Sequence, residues 1–209
     1  VNLTPLCQNV TLTCSNVTGF NFTNELATYC LGGYKLDNCT QQGLPGWNVT
    51  VRLVTGAPAG MATTNATGWW QVCGLAPGNY EVCEELKPGW ANVSPLCQQV
   101  TLGSANRSDV NFTNTKLLCI SGYKVDNSTK QGIPGWTMTL NNQTGQVATM
   151  ATNATGGYQF CGLSPGEYQV CEEQNVSWVN LTPLCQNVTL TCRNVTGFNF
   201  TNELATYCL

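Results

Sequence analysis

Charge and histidine are both scarce in this chain. Of its 209 residues, 9% are Asp, Glu, Lys or Arg, and none is histidine, whereas charged residues make up about a quarter of an ordinary globular protein. The formal net charge is -3 and no basic run occurs, so we expect no nucleic-acid partner. With no histidine, no visible Ser or Cys paired with a base, and only eleven carboxylates, we expect no enzyme activity.

Several targeting and metal-binding signals are also missing. The chain has no Cys-x-x-Cys pair, which together with the lack of histidine argues against a zinc site. It shows no secretory signal, no transmembrane run and no lipidation signal. Thirteen cysteines nevertheless indicate an oxidising compartment and a disulfide framework. We therefore expect an exported chain that is either mature or a window of a longer one.

Internal repetition dominates what is present. The motif CLGGYKLDNCTQQGLPGW, which begins at Cys30, returns as CISGYKVDNSTKQGIPGW at Cys119, and Cys208 follows at the same spacing of 89 residues. This predicts two modules, at 30–118 and 119–207. It also predicts that residues 1–29 are the closing third of a preceding module and that 208–209 begin the next one.

A second level of repetition joins the two ends of the sequence. Residues 1–31 and 179–209 are identical except that Ser15 is replaced by Arg193. This sets a period of 178 residues, which is two modules. The interpretation we favour is a long head-to-tail array of neighbouring modules or identical chains; a discrete subunit that donates its N-terminal third to a neighbour is the alternative.

The local pattern within each module is β throughout. Segments such as WTMTL, YQVCEE and NVTLT alternate with period two, and turn sequences such as GIPGW and LSPGEY separate them. In NVTLT the alternation places Val10 and Leu12 on an inner face. About seven strands in 89 residues predict an all-β fold of tandem antiparallel sandwiches, of immunoglobulin-like or prealbumin-like type.

The ordered motifs resemble a known family. Gly-Tyr-Lys-x-Asp, Gly-(Leu/Ile)-Pro-Gly-Trp, Thr-Asn-Ala-Thr-Gly, Cys-Gly-Leu-x-Pro-Gly-x-Tyr-x-Val-Cys-Glu-Glu and Asn-Phe-Thr-Asn follow one another in both modules. This order is similar to SdrD B-like and Cna-B-type repeats, prealbumin-like sandwiches that form stalks on microbial surface proteins. The Trp-bearing, Cys-rich variant is most similar to surface repeats of methanogenic and other archaea. The resemblance implies a structural role outside the cell.

Calcium binding is one property that the resemblance raises. SdrD B-like repeats often bind calcium in the loop after the first strand, here 37–40 and 126–129. Each of these loops contains one carboxylate, whereas calcium sites usually combine several. We therefore interpret both loops as solvated turns and expect neither calcium nor another cofactor.

A lysine–asparagine isopeptide bond, assisted by a glutamate, is the other property of Cna-B-type domains. The motif positions are Lys35 and Glu84 with Asn111 or Asn114, and Lys124 and Glu172 with Asn199 or Asn202. The interpretation we favour is that the lysines are exposed on their strands and the glutamates lie on an outer face.

Asn-x-Ser/Thr sequons are the chain's most abundant motif. They occur eighteen times, against about four expected from composition, and predict heavy N-glycosylation. A proline follows the sequon at Asn2, Asn92 and Asn180, which weakens those acceptors. The predicted sites are Asn2, Asn9, Asn16, Asn21, Asn38, Asn48, Asn65, Asn92, Asn106, Asn111, Asn127, Asn142, Asn153, Asn175, Asn180, Asn187, Asn194 and Asn199.

The cysteines divide into recurring and extra positions. Four recur in each module and predict two internal bridges per module, with the connectivity left open; they are Cys30, Cys73, Cys83 and Cys97, and Cys119, Cys161, Cys171 and Cys185. The extras Cys14 and Cys39 flank one junction, while Ser104 and Ser128 stand at the equivalent positions of the next. This predicts a Cys14–Cys39 bridge between modules, with Cys192 bonded to the next module.

These observations indicate a structural extracellular protein. We expect the repeating unit of a glycosylated, disulfide-stapled cell-surface stalk, filament or sheath. The alternative is an adhesin or carbohydrate-binding stalk, whose candidate stacking residues are the six tryptophans. The Trp69–Trp70 pair is the unusual one, because its counterpart in the second module is Gly157–Tyr158.

Overall fold

Every regular element in the described residues is a β-strand. The computed structural model describes residues 2–14 and 17–205, so the predicted module start at 208–209 lies outside it. The first eight strands are β1 (Tyr29–Asp37), β2 (Asn48–Leu53), β3 (Pro58–Thr63), β4 (Trp69–Leu75), β5 (Gly78–Glu84), β6 (Trp90–Asn92), β7 (Cys97–Leu102) and β8 (Phe112–Lys116). The next eight are β9 (Leu118–Asp126), β10 (Thr137–Asn142), β11 (Gly145–Ala151), β12 (Gly157–Leu163), β13 (Gly166–Glu172), β14 (Trp178–Asn180), β15 (Cys185–Leu190) and β16 (Phe200–Leu204).

The strands form four sheets of four strands each. Strands β1–β8 give the orders β4-β1-β8-β6 and β3-β2-β5-β7, and strands β9–β16 give the equivalent orders β12-β9-β16-β14 and β11-β10-β13-β15. The predicted all-β sandwich fold is confirmed. One detail differs from a purely antiparallel arrangement: β16 pairs with β9 in parallel, with Phe200 opposite Lys124, because β16 returns to β9 after a crossover and not through a hairpin.

The chain forms two compact units, each with its own apolar core. The first contains residues 1–36, 42–85 and 94–113, and the second contains residues 37–41, 86–93 and 114–209. The first core is Leu31, Val49, Val51, Trp70, Val72, Leu75, Tyr80, Val82, Val100, Leu102, Val110 and Phe112. The second core is Leu118, Ile120, Trp136, Met138, Leu140, Tyr158, Phe160, Leu163, Val170, Val188, Leu190 and Phe200. No helix able to cross a bilayer is found within the described ranges.

Period-two alternation explains which side chains reach the second core. In β15, Val188 and Leu190 are buried, while Thr189 between them is exposed. The identical sequence at Val10 and Leu12 behaves differently, since these side chains are 50% and 73% exposed. The predicted inner face is therefore wrong for the first copy, because residues 7–14 form no strand and no sheet covers them.

The Gly-Ile-Pro-Gly-Trp turn sets the position of one core tryptophan. Pro134 and Gly135 occupy the two central positions, and Gly135 has a φ of 71°, as a type II turn requires. The backbone N–H of Trp136 then donates to Thr152 Oγ1 at 2.9 Å. The turn thereby directs the Trp136 ring into the interior, where the ring approaches a charged group.

Candidate functional site

The second unit buries a lysine, a glutamate and an asparagine in its interior. Lys124 and Asn202 are 0% exposed and Glu172 is 3% exposed. The prediction that the lysine is exposed and the glutamate lies on an outer face is therefore wrong. Strand parity explains the difference, because Lys124 shares its side of β9 with the core residue Ile120.

Three strands bring these side chains together. Asn202 lies two residues after Phe200 on β16, on the same face of the strand, and β16 runs beside the Lys124 strand. Glu172 comes from β13 in the other sheet, where it lies on the same face of the strand as the buried Val170. The lysine and the asparagine therefore project from one sheet and the glutamate from the other.

A single carboxylate oxygen contacts both nitrogen atoms. Lys124 Nζ forms an ion pair with Glu172 Oε2, and Asn202 Nδ2 donates to the same oxygen at 3.3 Å. The other oxygen, Oε1, accepts a hydrogen bond from Asn180 Nδ2 at 3.0 Å. Lys124 Nζ also lies 4.6 Å from the centroid of the Trp136 ring, which is a cation–π distance. Glu172 thus holds the amine and the side-chain amide next to each other.

Burial brings the lysine and the glutamate closer to their neutral forms. Desolvation lowers the pKa of Lys124, and the hydrogen bond and charge of Glu172 oppose this shift without cancelling it. Desolvation likewise raises the pKa of Glu172, against the opposing effect of Lys124. Transfer of one proton from the amine to the carboxylate would remove both charges from the interior. A neutral amine beside a carboxylic acid is the arrangement that nucleophilic attack on an amide requires.

The first unit contains the equivalent buried ion pair. Lys35 and Glu84 form an ion pair, and the side chains of both residues are fully buried. Lys35 Nζ also lies 4.4 Å from the centroid of the Trp47 ring. Burial lowers the pKa of Lys35 and raises that of Glu84. Asn114, the sequence counterpart of Asn202, belongs to the second unit and is 0% exposed, and its side-chain amide has no hydrogen-bond partner.

The other two candidate asparagines have a different role. Asn111 and Asn199 are exposed, and their Oδ1 atoms accept hydrogen bonds from the backbone N–H groups of Tyr34 and Tyr123, at 2.8 and 2.9 Å. They hold the preceding loop against the first strand of each repeat. Of the alternatives that the sequence left open, burial therefore selects Asn114 and Asn202.

Disulfides connect neighbouring strands in both sets of sheets. The structure pairs Cys30 with Cys73, Cys83 with Cys97, Cys119 with Cys161, and Cys171 with Cys185. Cys83 and Cys97 are directly opposite each other across β5 and β7, as Cys171 and Cys185 are across β13 and β15. Of the three possible connectivities per module, the structure selects the one that joins cysteines adjacent in sequence.

The extra cysteines pair differently from the prediction. Cys39 is bonded to Cys192, with their Cα atoms 5.5 Å apart, and Cys14 is exposed with a free thiol. The predicted Cys14–Cys39 bridge is absent, and so is a bond from Cys192 to a further module. The physical reason is that the turn at 37–41 belongs to the second unit, together with Cys192.

Many sequon asparagines form the turns in which they occur. Asn153 Oδ1 accepts from the Thr155 backbone N–H, the Thr155 hydroxyl and the Gly157 N–H. Equivalent Asn-x-Thr turns are centred on Asn65 and Asn142. These hydrogen bonds use Oδ1, so they leave out Nδ2, the atom to which a glycan is attached. Asn16 lies outside the described residues.

Two sequon asparagines use Nδ2 itself. Asn180 donates this group to Glu172 Oε1, and Asn48 donates its own to Glu85 Oε2 at 3.0 Å. Both residues are also partly buried. A glycan at either position would replace one of the two Nδ2 hydrogens and would have to fit beside the carboxylate that accepts from the other.

The loops considered for calcium are organised by hydrogen bonds within the chain. Asp126 Oδ1 accepts from the Ser128 backbone N–H, and Oδ2 accepts from the Thr129 hydroxyl at 2.7 Å. The hydroxyl bond is the main reason why the pKa of Asp126 lies below its ordinary value. Elsewhere, Glu81 lies near the sulfurs of Cys83 and Cys97, but those sulfurs form a disulfide and are not available as thiolate ligands.

The tryptophans contribute mainly to packing. Trp47, Trp70 and Trp136 are buried, with exposures of 3%, 1% and 7%. The unusual pair divides between core and surface, because Trp70 enters the first core while Trp69 is half-buried and makes an edge contact with Tyr34.

Comparison with known proteins gives relatives among bacterial repeat-containing proteins. Residues 121–187 match the family model of the SdrD B-like domain. Serine-aspartate repeat-containing protein E of Staphylococcus aureus (strain USA300) is 28% identical over 180 residues, which are 70% of this chain and 15% of that protein. Serine-aspartate repeat-containing protein D of Staphylococcus aureus (strain Newman) is 30% identical over 158 residues, which are 62% of this chain and 12% of that protein.

These matches support the resemblance to SdrD B-like repeats and correct one part of it. The relatives named here are bacterial, so the archaeal assignment is not supported. The chain spans only 12–15% of the length of these two relatives. Among solved structures, a streptococcal ancillary pilin is 20% identical and has a TM-score of 0.43, and the alignment covers 86% of this chain and 63% of that one.

Proposed function

We propose that this chain is a load-bearing structural repeat of an extracellular stalk, filament or sheath on a cell surface. The observation that carries the proposal is the buried Lys124–Glu172–Asn202 constellation, because it connects the first and last long strands of one sandwich. The five disulfides indicate an oxidising compartment and add covalent connections to both units. An adhesin role has less support, since three of the six candidate stacking tryptophans are buried and the other three are only partly exposed.

The constellation has the groups needed to form an amide between Lys124 and Asn202. The neutral Lys124 Nζ attacks Asn202 Cγ, and an Nζ–Cγ bond forms as the Cγ–Nδ2 bond breaks. Glu172 transfers a proton from the attacking amine to the departing nitrogen, which leaves as ammonia. Each bond formed therefore costs the chain one molecule of ammonia and needs no oxidant.

Such an amide would change how the sandwich responds to tension. β9 and β16 are adjacent and parallel in the sheet, although in sequence they are the first and the last of strands β9–β16. Once the Cys39–Cys192 bridge is reduced, force applied to the chain ends would reach the Lys124–Asn202 bond before it could separate the strands that lie between these two residues in sequence. The covalent bond, and not the hydrogen-bonded ladder, would then carry the load.

Intact mass and single-molecule stretching test this proposal together. We expect the oxidised, glycan-free chain to weigh less than its sequence, after the disulfide hydrogens are counted, by one ammonia per amide formed. Stretched from its two ends under reducing conditions, the chain should show no unfolding step for the second sandwich. Glu172→Gln should restore the ammonia at this site and add an unfolding step under reducing conditions, because it removes the group that transfers the proton.

Glu173→Gln provides the matched control, since Glu173 is the exposed neighbour of Glu172. It should keep both the mass deficit and the resistance to stretching. A full sequence mass in the unaltered chain, or an ordinary unfolding step for its second sandwich, would contradict the load-bearing amide.

We also propose that N-linked glycans cover this surface in the native protein. Exposed sequon turns such as Asn65, Asn142 and Asn153 support this, because their hydrogen bonds engage only Oδ1. With charged residues at 9% of the chain, glycans would supply solubility and shield exposed strand edges.

Glycopeptide mapping of the native protein should separate two classes of sequon. We expect high occupancy at Asn153 and little or none at Asn180 and Asn48, whose Nδ2 atoms bond to carboxylates. Asn187 is a useful comparison for Asn180, because it is exposed in the same repeat. Equal occupancy at Asn180 and Asn187 would contradict this assignment.

A further inference from the structure

Residues 2–28 have the sequence of the last three strands of a sandwich but lack the rest of one. They match residues 180–206 at every position except Ser15. In the second unit that sequence forms the end of β14, then β15 and β16, and it packs onto β9–β13. Residues 7–14 form no strand, and nearly every described residue from 2 to 28 is exposed.

The segment nevertheless keeps the internal hydrogen bonds of its buried copy. Asn2 is bridged to Asn24, as Asn180 is paired with Asn202. The Leu3 N–H donates to Thr23 O at 2.9 Å, as the Leu181 N–H does to Thr201 O. Two hydrogen bonds that involve side chains also recur. Thr23 N donates to Thr4 Oγ1, as Thr201 N does to Thr182 Oγ1. Gln8 Nε2 donates to Asn21 O, as Gln186 Nε2 does to Asn199 O. The segment therefore keeps part of the hydrogen bonding that its copy has in the closed sandwich.

The side chains that face the core in the buried copy face solvent here. Leu12 is 73% exposed, whereas its counterpart Leu190 is 1% exposed. Phe22 is 58% exposed, whereas its counterpart Phe200 is 0% exposed. The buried copy shows what covers this face: the β9–β13 part of a sandwich.

The cysteines of the segment point to the same missing body. Cys7 and Cys14 are the free, exposed cysteines of the described chain. The counterpart of Cys7 is Cys185, which bonds to Cys171 on β13. The counterpart of Cys14 is Cys192, which bonds to Cys39 in the module before its own. The two thiols therefore require two cysteine partners, which come from two different sequence modules.

The candidate cross-linking asparagine is repeated as well. Asn24 corresponds to Asn202, which contacts Glu172 in the interior of the second unit. Asn24 is exposed, and a body of the β9–β13 type would supply a lysine and a glutamate to it. The segment thus contains every C-terminal component of the buried site and none of the others.

We propose that residues 2–28 close a further sandwich by docking on a five-strand body of the β9–β13 type, joined directly ahead of residue 2. The second unit supports direct attachment, because only residues 173–177 separate β13 from β14 there. In the closed form Cys7 bonds to the cysteine equivalent to Cys171, and Asn24 meets the lysine equivalent to Lys124. Cys14 bonds to a cysteine of the Cys39 type one module further ahead. Each disulfide forms by exchange with an oxidised dithiol donor, which accepts the two electrons and two protons.

This inference deepens the proposed structural function and rests on it, and two extended chains test it. One has residues 119–178 joined ahead of Val1, and the other has residues 30–178 joined there. In the 209-residue chain we expect alkylation of both Cys7 and Cys14. The first extension should protect Cys7 and leave Cys14 reactive, and the second should protect both. Because Ser15 replaces Arg193, peptide mass spectrometry distinguishes the first copy from the second.

The control is the first extension with the added Cys171 replaced by serine. Cys7 should become reactive again, while residues 2–28 remain resistant to protease. Continued alkylation of Cys7 in both extensions, a Cys7–Cys14 bridge, or disulfide-linked dimers through Cys7 would each overturn the proposal. The load-bearing amide is measured at Lys124 and Asn202, which lie outside this segment, so failure of one proposal is distinguishable from failure of the other.

Discussion

In an Asn202→Ala background, which cannot form the amide, replacing Lys124 with methionine should destabilise the second unit by about 3–5 kcal/mol, because it leaves Glu172 buried without its cationic partner. The side chains of both residues are fully buried, so water cannot replace the lost contact. Methionine has a similar length and fills most of the same space, which keeps the cost of a cavity small. Because neither chain in this comparison can form the amide, the difference between them reflects only the ion pair.

The pH dependence of this variant separates a buried charge from poor packing. Burial raises the pKa of Glu172, and Lys124 opposes that shift. Removing the lysine should therefore raise the pKa of Glu172 further. The folded variant then binds a proton at a higher pH than the unfolded chain does. The penalty should be absent below the unfolded pKa of about 4.3 and should grow as the pH rises through it. A packing defect would cost the same at every pH.

Urea unfolding at several pH values measures this effect, with Lys116→Met as the control because Lys116 is exposed at the end of β8. The control should change the free energy of unfolding by less than about 0.5 kcal/mol. The double variant Lys124→Met, Glu172→Leu should recover most of the loss, since it removes the isolated charge. A loss below about 1 kcal/mol in Lys124→Met would contradict the buried pair.

The sequence predicted the fold well because the relevant signals are local and repeated. Alternation in NVTLT and turn chemistry in GIPGW are sufficient to locate strands and their ends, and the 89-residue spacing shows which segments are equivalent. The same alternation could have found the buried lysine. Lys124 has the parity of Ile120, and Glu172 has the parity of Val170, so charged residues occur at inward positions. We predicted exposure because lysine is rarely buried without a partner, and here the partner comes from the opposite sheet.

Features that depend on contacts between distant segments could not be predicted in the same way. The Cys39–Cys192 bond requires knowledge that the turn after β1 packs with residues of the second unit, and no local pattern contains that information. The exposure of Val10 and Leu12 is similar, since their sequence is identical to that of the buried Val188 and Leu190. Identical residues differ in burial because burial depends on what packs against a strand.

The sequons illustrate how one motif can serve two physical roles. In Asn153 and Asn65 the Asn-x-Thr sequence forms a turn through Oδ1, which by itself is a reason for the motif to recur. The same geometry leaves Nδ2 outside the turn's hydrogen bonds, so the residue can also accept a glycan. At Asn180 the structural role uses one Nδ2 hydrogen, so an attached glycan would have to fit beside the partly buried contact with Glu172. The motif alone cannot distinguish these cases, but the side-chain atom that forms the hydrogen bond can, since it is Oδ1 in the turns and Nδ2 at Asn180.

Removal of the Cys119–Cys161 bridge should cost the second unit about 4 kcal/mol, and removal of Cys171–Cys185 about 3 kcal/mol. The first bridge closes a sequence separation of 42 and the second closes one of 14, so the first restricts the unfolded chain more. Each pair should be replaced by two serines in the Glu172→Gln background, so that no Lys124–Asn202 amide obscures the comparison. Both variants should then be unfolded in urea without reductant.

The order of these two losses tests how the bridges act. Both pairs link neighbouring strands, and their Cα atoms are 4.1 and 4.0 Å apart. Loss of direct contacts in the folded state should therefore be similar for the two, and the difference should reflect the unfolded chain. Equal or reversed losses would mean that the bridges stabilise the folded sandwich mainly through local packing. The expected order would instead show that they limit how far a stretched or unfolded chain can extend, which is what a load-bearing repeat requires.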